Sequence, residues 1–118
     1  MKSTQAVKAL AALAQESRLA IFRLLVERGP EGLSAGAIGE RLGIAPATLS
    51  FHFKELANAG LVAARTQGRF VIYSTDFRKM SELLGFLTDN CCGGNSCTPV
   101  VACKPPVSKK KQKLIAGN

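Results

Sequence analysis

Apolar residues recur at helical spacing through the first half of the chain and switch to strand-like alternation at one place only. Residues 4 to 14 read as a short helix with Val7, Leu10, Ala11 and Ala14 on one stripe. Leu19, Phe22, Leu25 and Val26 predict a second helix over 16 to 27. Gly29 and Pro30 end it, and Ser34 is placed to cap a third helix whose inward positions are Ile38, Leu42 and Ala35. Gly43 closes that helix. Pro46 suits the first turn of a fourth, running to Asn58, in which Leu49, Phe53 and Leu56 share a core face while Ala47, Ser50, Phe51 and Lys54 look outward.

The alternation comes next. "LVAARTQGRFVIYST" predicts a hairpin with strands at 62 to 66 and 70 to 74, a turn at Gln67 and Gly68, Arg65 on its flank and Arg69 at its tip. Asp76 then caps a last helix from 77 to about 90. Phe77, Met80, Leu84, Leu87 and Cys91 step along it by three and four residues, and Leu83 widens the stripe. From Gly93 onward the pattern fades, and "PPVSKKKQKL" reads as a disordered basic end. The expected division is a domain over 1–92 and a flexible cysteine-containing, basic tail over 93–118.

The second, third and fourth helices followed by a hairpin predict a mainly α fold with a β-hairpin wing, a winged helix-turn-helix. In such a fold the fourth helix enters the major groove of double-stranded DNA with its N-terminal residues at the base edges, where free backbone N–H groups also favour phosphate. The candidate DNA-binding residues are Pro46, Ala47, Thr48, Ser50, Phe51, His52 and Lys54, with Arg65 and Arg69 on the wing. Ala47 suits a thymine methyl, the Ser50 and Thr48 hydroxyls suit bases or phosphates, and Lys54 suits a phosphate. Five of these keep a second reading: Thr48 as a local cap, Phe51 packed on the preceding helix, His52 as a hydrogen-bonded structural group, and Arg65 and Arg69 as ordinary solvated charges.

Charge agrees with a polyanionic partner but weakly. The net charge is +8, yet Lys104, Lys109, Lys110, Lys111 and Lys113 supply five of those charges, leaving +3 for the rest. No run of 18 apolar residues is present and the start lacks the pattern of a signal peptide, so a cytoplasmic protein without a membrane anchor is expected.

All four cysteines, Cys91, Cys92, Cys97 and Cys103, fall within "DNCCGGNSCTPVVACKP". Under reducing conditions such a cluster points to ligands or redox groups rather than structural disulfides. Soft thiolates favour soft metals and metalloids, and "GGNS" is the bend that lets Cys97 return toward the adjacent Cys91 and Cys92 so that the three thiols can share such a centre. Cadmium, lead or zinc, and a disulfide-based redox sensor, remain alternatives. Catalysis is not expected: there is no CxxC motif, no second histidine and no acid–base constellation near the thiols.

Together "RLAIFRLLVERG", "LGIAPATLSFHFKELANAGLV" and "RTQGRFVIYS" resemble the ArsR/SmtB family of metal-responsive repressors over residues 6 to 91. The resemblance implies a homodimer with first and last helices packed between subunits, and repression of an operon until an inducer releases the protein from operator DNA. The family's histidine- and carboxylate-containing zinc site on the last helix has no counterpart, since no histidine follows His52, and "SAGAIGERLG" lacks the cysteines found there in other arsenic-responsive members. "CCGGNSC" is similar to the arrangement of a smaller branch, which implies arsenite or antimonite as the inducer and Cys91, Cys92 and Cys97 as its ligands.

Overall fold

The computed structural model describes residues 1–94; Cys97, Cys103 and the basic tail lie outside them. Among the described residues, five α-helices run in the order α1 (Ser3–Leu13), α2 (Glu16–Arg28), α3 (Ala35–Leu42), α4 (Pro46–Asn58) and α5 (Phe77–Leu87). Strands β1 (Leu33–Ser34), β2 (Val62–Gln67) and β3 (Phe70–Thr75) form an antiparallel sheet in the order β1-β3-β2. The fold is mainly α with a small hairpin wing, as the alternation at residues 62 to 75 predicts. No helix among the described residues is long and apolar enough to cross a membrane.

Local chemistry sets the boundaries. The Ser34 hydroxyl accepts from the Ala37 N–H at 3.2 Å and the Asp76 carboxylate accepts from the Lys79 N–H at 3.1 Å, each satisfying an orphan donor of a first turn. Gly43 ends α3 at φ 67°, the left-handed conformation that glycine adopts without a Cβ penalty. Pro46 opens α4, where its missing N–H leaves no helical bond unmade.

Ile21, Phe22 and Leu25 of α2, Ile38 of α3, and Leu49, Phe53 and Leu56 of α4 meet Leu61 and Val62 in one core. Burying each such side chain contributes about 1.5–3 kcal/mol. The Phe53 ring also stacks on Tyr73 of β3, with centroids 3.8 Å apart and planes within 15°, which fixes the wing to the helix it accompanies.

The core side of α1 consists of Ala6, Ala9 and Ala12, small residues that allow close approach, and Val7 (64% exposed) and Leu10 face outward. Two expectations are corrected. The last helix stops at Leu87 instead of continuing to 90: Thr88 leaves helical dihedrals at φ −105° and ψ 7°, and Asn90 takes φ 59°. Cys91 therefore lies off the α5 stripe, on which Leu83 is buried while Leu84 and Leu87 are exposed. The hairpin also gains a third strand, since β1 pairs Leu33 with Tyr73 and Ser34 with Ile72. A two-residue strand carries no periodicity for the sequence to display.

Candidate nucleic-acid interface

The N-terminal half of α4 projects from the fold. Its core residues Leu49, Phe53 and Leu56 hold the helix from below, leaving Pro46, Ala47, Thr48, Ser50, Phe51 and Lys54 exposed. No side chain caps the helix, so Thr48 does not serve that role, and the first-turn N–H groups add a positive helix end to this face. Phe51 is 54% exposed rather than packed on α3. An apolar ring held out to solvent beside a serine and a lysine is suited to a base edge or a thymine methyl.

His52 differs from its neighbours in being only 6% exposed. Its Nδ1 lies 3.4 Å from the Arg18 guanidinium, and Arg18 Nε donates to the Ala12 carbonyl at 2.7 Å. An arginine has only donors, so Nδ1 is the acceptor and the ring is neutral with its proton on Nε2. Burial, and next the positive charge of Arg18, lower the imidazole pKa from 6.5. Of the two sequence readings, this geometry matches the hydrogen-bonded structural group.

On the wing, alternation separates two faces. Val71 and Tyr73 line a cleft of about 630 Å³ together with Gly39, Pro46, Ser50 and Phe53, between the helix-turn-helix and β3. Arg65 pairs with Ile72 and belongs to the opposite face, where its guanidinium donates to the Glu31 carbonyl at 2.8 Å. That bond ties β2 to the turn after α2 and leaves the rest of an exposed five-donor group available. Arg69 is exposed in the turn between β2 and β3, and beside it Phe70 is 58% exposed. Sequence reasoning missed Phe70, which its pattern assigned only to a strand, and Arg18, which is 34 residues from the histidine it meets.

Beyond α5, Cys91 and Cys92 occupy an exposed turn over Cys91–Gly94 in which Cys92 and Gly93 have φ 57° and 65°. The Cys91 N–H donates to the Thr88 carbonyl at 2.9 Å, and the two Sγ atoms lie 3.7 Å apart. Two thiols this close can share one soft centre. Among the described residues no group of three or more histidine, cysteine or carboxylate side chains is assembled, and the third expected ligand, Cys97, lies outside them.

Comparison with known proteins bears on this face. Residues 13–65 match a helix-turn-helix domain family. An uncharacterized HTH-type transcriptional regulator of Bacillus subtilis, YceK, is 52% identical over 58 residues, covering 49% of this chain and 57% of that protein. The structure of HlyU from Vibrio cholerae is 31% identical with a TM-score of 0.60, over 76% of this chain and 95% of HlyU. A possible ArsR-family regulator of Mycobacterium bovis, whose solution structure is that of a homodimeric winged helix-turn-helix DNA-binding domain, is 26% identical with a TM-score of 0.59, over 80% and 87% of the two chains. The chain spans 57% and 63% of the curated relatives it matches.

Proposed function

The chain belongs to the ArsR/SmtB-like winged helix-turn-helix regulators, a regulatory and not a catalytic fold, and from that premise we propose that it is a thiol-controlled transcriptional repressor. The α4 face carries the DNA half of this reading: six neighbouring candidate residues are exposed on the helix that the core holds outward. Ala47, Ser50 and Phe51 meet base edges in the major groove of operator DNA, Thr48 and Lys54 meet phosphates, and Arg65 and Arg69 follow the backbone from the wing.

Two copies act together. Val7 and Leu10 of α1 and Leu84 and Leu87 of α5 leave large apolar side chains in water, and a two-fold partner presenting the same residues covers them. The M. bovis relative is a homodimer. Dimerisation pairs two α4 helices and asks for an approximately palindromic operator.

Cys91, Cys92 and Cys97 form the inducer site, and arsenite or antimonite is the ligand their chemistry fits best. Three thiols condense with As(OH)₃, releasing three waters with no change in oxidation state. The turn tied to Thr88 then transmits the closure to α5, because Thr88 is hydrogen-bonded to Leu84 on the same exposed stripe. The dimer surface shifts, and with it the spacing of the two recognition helices. Fluorescence anisotropy with duplex DNA from immediately upstream of the gene tests the DNA half. Tight, sequence-dependent binding that weakens in Ser50→Ala and Lys54→Ala is expected, and equal affinity for unrelated duplexes contradicts it.

A further inference from the structure

The Arg18–His52 contact joins two parts of the molecule that the proposed function uses for different purposes. Arg18 Nε holds the last turn of α1 at the Ala12 carbonyl, and the same guanidinium meets His52 of α4. The Arg18 backbone is itself anchored, its N–H donating to Gln15 Oε1 at 2.9 Å. On one side lies the helix with the uncovered Val7 and Leu10, on the other the helix with the exposed Ser50, Phe51 and Lys54.

We infer that Arg18 is a positioning residue for the recognition helix, acting through the neutral His52, and that protonation of this imidazole loosens α4 from α1 and weakens DNA binding. The inference rests on the DNA-binding reading above. Neutral His52 offers Nδ1 as an acceptor; the protonated ring presents an N–H there and turns the contact into donor against donor. Both groups are then cationic and 3.4 Å apart in a site from which His52 is almost excluded from water. Arg18 faces the ring from α2, and the hollow that Arg18 lines also has Lys8 of α1 and Glu55 of α4 on its walls. The burial and the Arg18 charge that lower the imidazole pKa act in the same sense. Because this is the chain's one histidine, no other imidazole contributes to the pH dependence.

The experiment compares operator affinity at pH 7.5 and 5.5 for the full chain, for His52→Asn, whose amide oxygen replaces Nδ1 as a non-titrating acceptor, and for Arg18→Met. Wild type should bind roughly five-fold or more weakly at pH 5.5, the lower end of ordinary coupling between sites. His52→Asn should bind well at both values, and Arg18→Met weakly at both. A pH profile that survives in His52→Asn, or wild-type affinity in Arg18→Met, overturns the inference. If wild type binds no duplex at pH 7.5, the DNA reading has failed, and nitrogen NMR of the single imidazole decides the contact separately. An unprotonated Nδ1 whose pKa rises in Arg18→Met supports the pairing; a protonated Nδ1, or a pKa indifferent to Arg18, removes it.

Discussion

Arg18 and His52, 34 residues apart, meet at 3.4 Å across the junction of α2 and α4, the guanidinium donating to the imidazole Nδ1. The contact fixes the sign of a pH effect on stability. His52 has a lower pKa folded than unfolded, so the unfolded chain binds the proton first as the pH drops. Its contribution is complete above pH 6.5 and is lost as the pH falls through the folded pKa. Urea unfolding at pH 7.5 and 5.5 should show lower stability at the acidic value, with the histidine part of the difference absent in His52→Asn.

The Phe53–Tyr73 stack is a direct link between recognition helix and wing. Phe53→Ala removes that ring and leaves a cavity in the core, at a cost of about 3–5 kcal/mol. Tyr73→Leu keeps much of the volume and loses mainly the ring pairing, about 0.5–1.5 kcal/mol. Chemical denaturation distinguishes the two, and equal small losses would show that the stack contributes little.

Helix ends were the most legible part of the sequence, because Ser34, Asp76, Gly43 and Pro46 act on backbone groups within a turn or two of themselves. The outward face of α4 was legible for the same reason: Leu49, Phe53 and Leu56 define its inner side by period alone. Partnerships across the chain were not. A stripe of Val7 and Leu10 reports an apolar face without naming what covers it, and the alanines opposite gave no comparable signal although they form the contact with the core. The end of α5 was missed because "TDNCC" continues a three-and-four spacing that the backbone at Thr88 and Asn90 does not follow. Nothing near Arg18 in sequence points to His52.

Dimerisation through α1 and α5 makes a prediction that spares the core. Leu87 is 54% exposed in the single chain, so Leu87→Glu should fold normally, yet shift sedimentation from dimer to monomer. Operator affinity should fall with it, since each half-site is then bound alone. A dimer that persists in both Leu87→Glu and Leu10→Glu places the subunit interface elsewhere.

Lys54 and Arg69 are assigned to phosphates, which salt dependence tests independently of affinity. Each alanine variant should reduce the slope of log K against log salt by about 0.9, the release of roughly one counterion. Ser50→Ala should instead lower operator affinity with the slope unchanged, because a neutral base contact releases no ion. A slope unaffected in Lys54→Ala would remove that residue from the phosphate contacts.

The thiol assignment predicts unequal cysteines. Cys91→Ser, Cys92→Ser and Cys97→Ser should each keep DNA binding and lose the inducer response, while Cys103→Ser keeps both. Isothermal titration of the reduced variants with arsenite gives the stoichiometry. Loss of the response in Cys103→Ser would revise the ligand set.

The most direct measurement is anisotropy of the labelled upstream duplex with fully reduced wild-type protein, titrated with arsenite. The account predicts a tight complex that dissociates at about one arsenite per subunit, the number set by one three-sulfur site in each chain. A tight complex indifferent to arsenite under strong reductant would contradict arsenite as the inducer and leave a winged-helix DNA-binding protein with a different trigger, another soft metal or a disulfide.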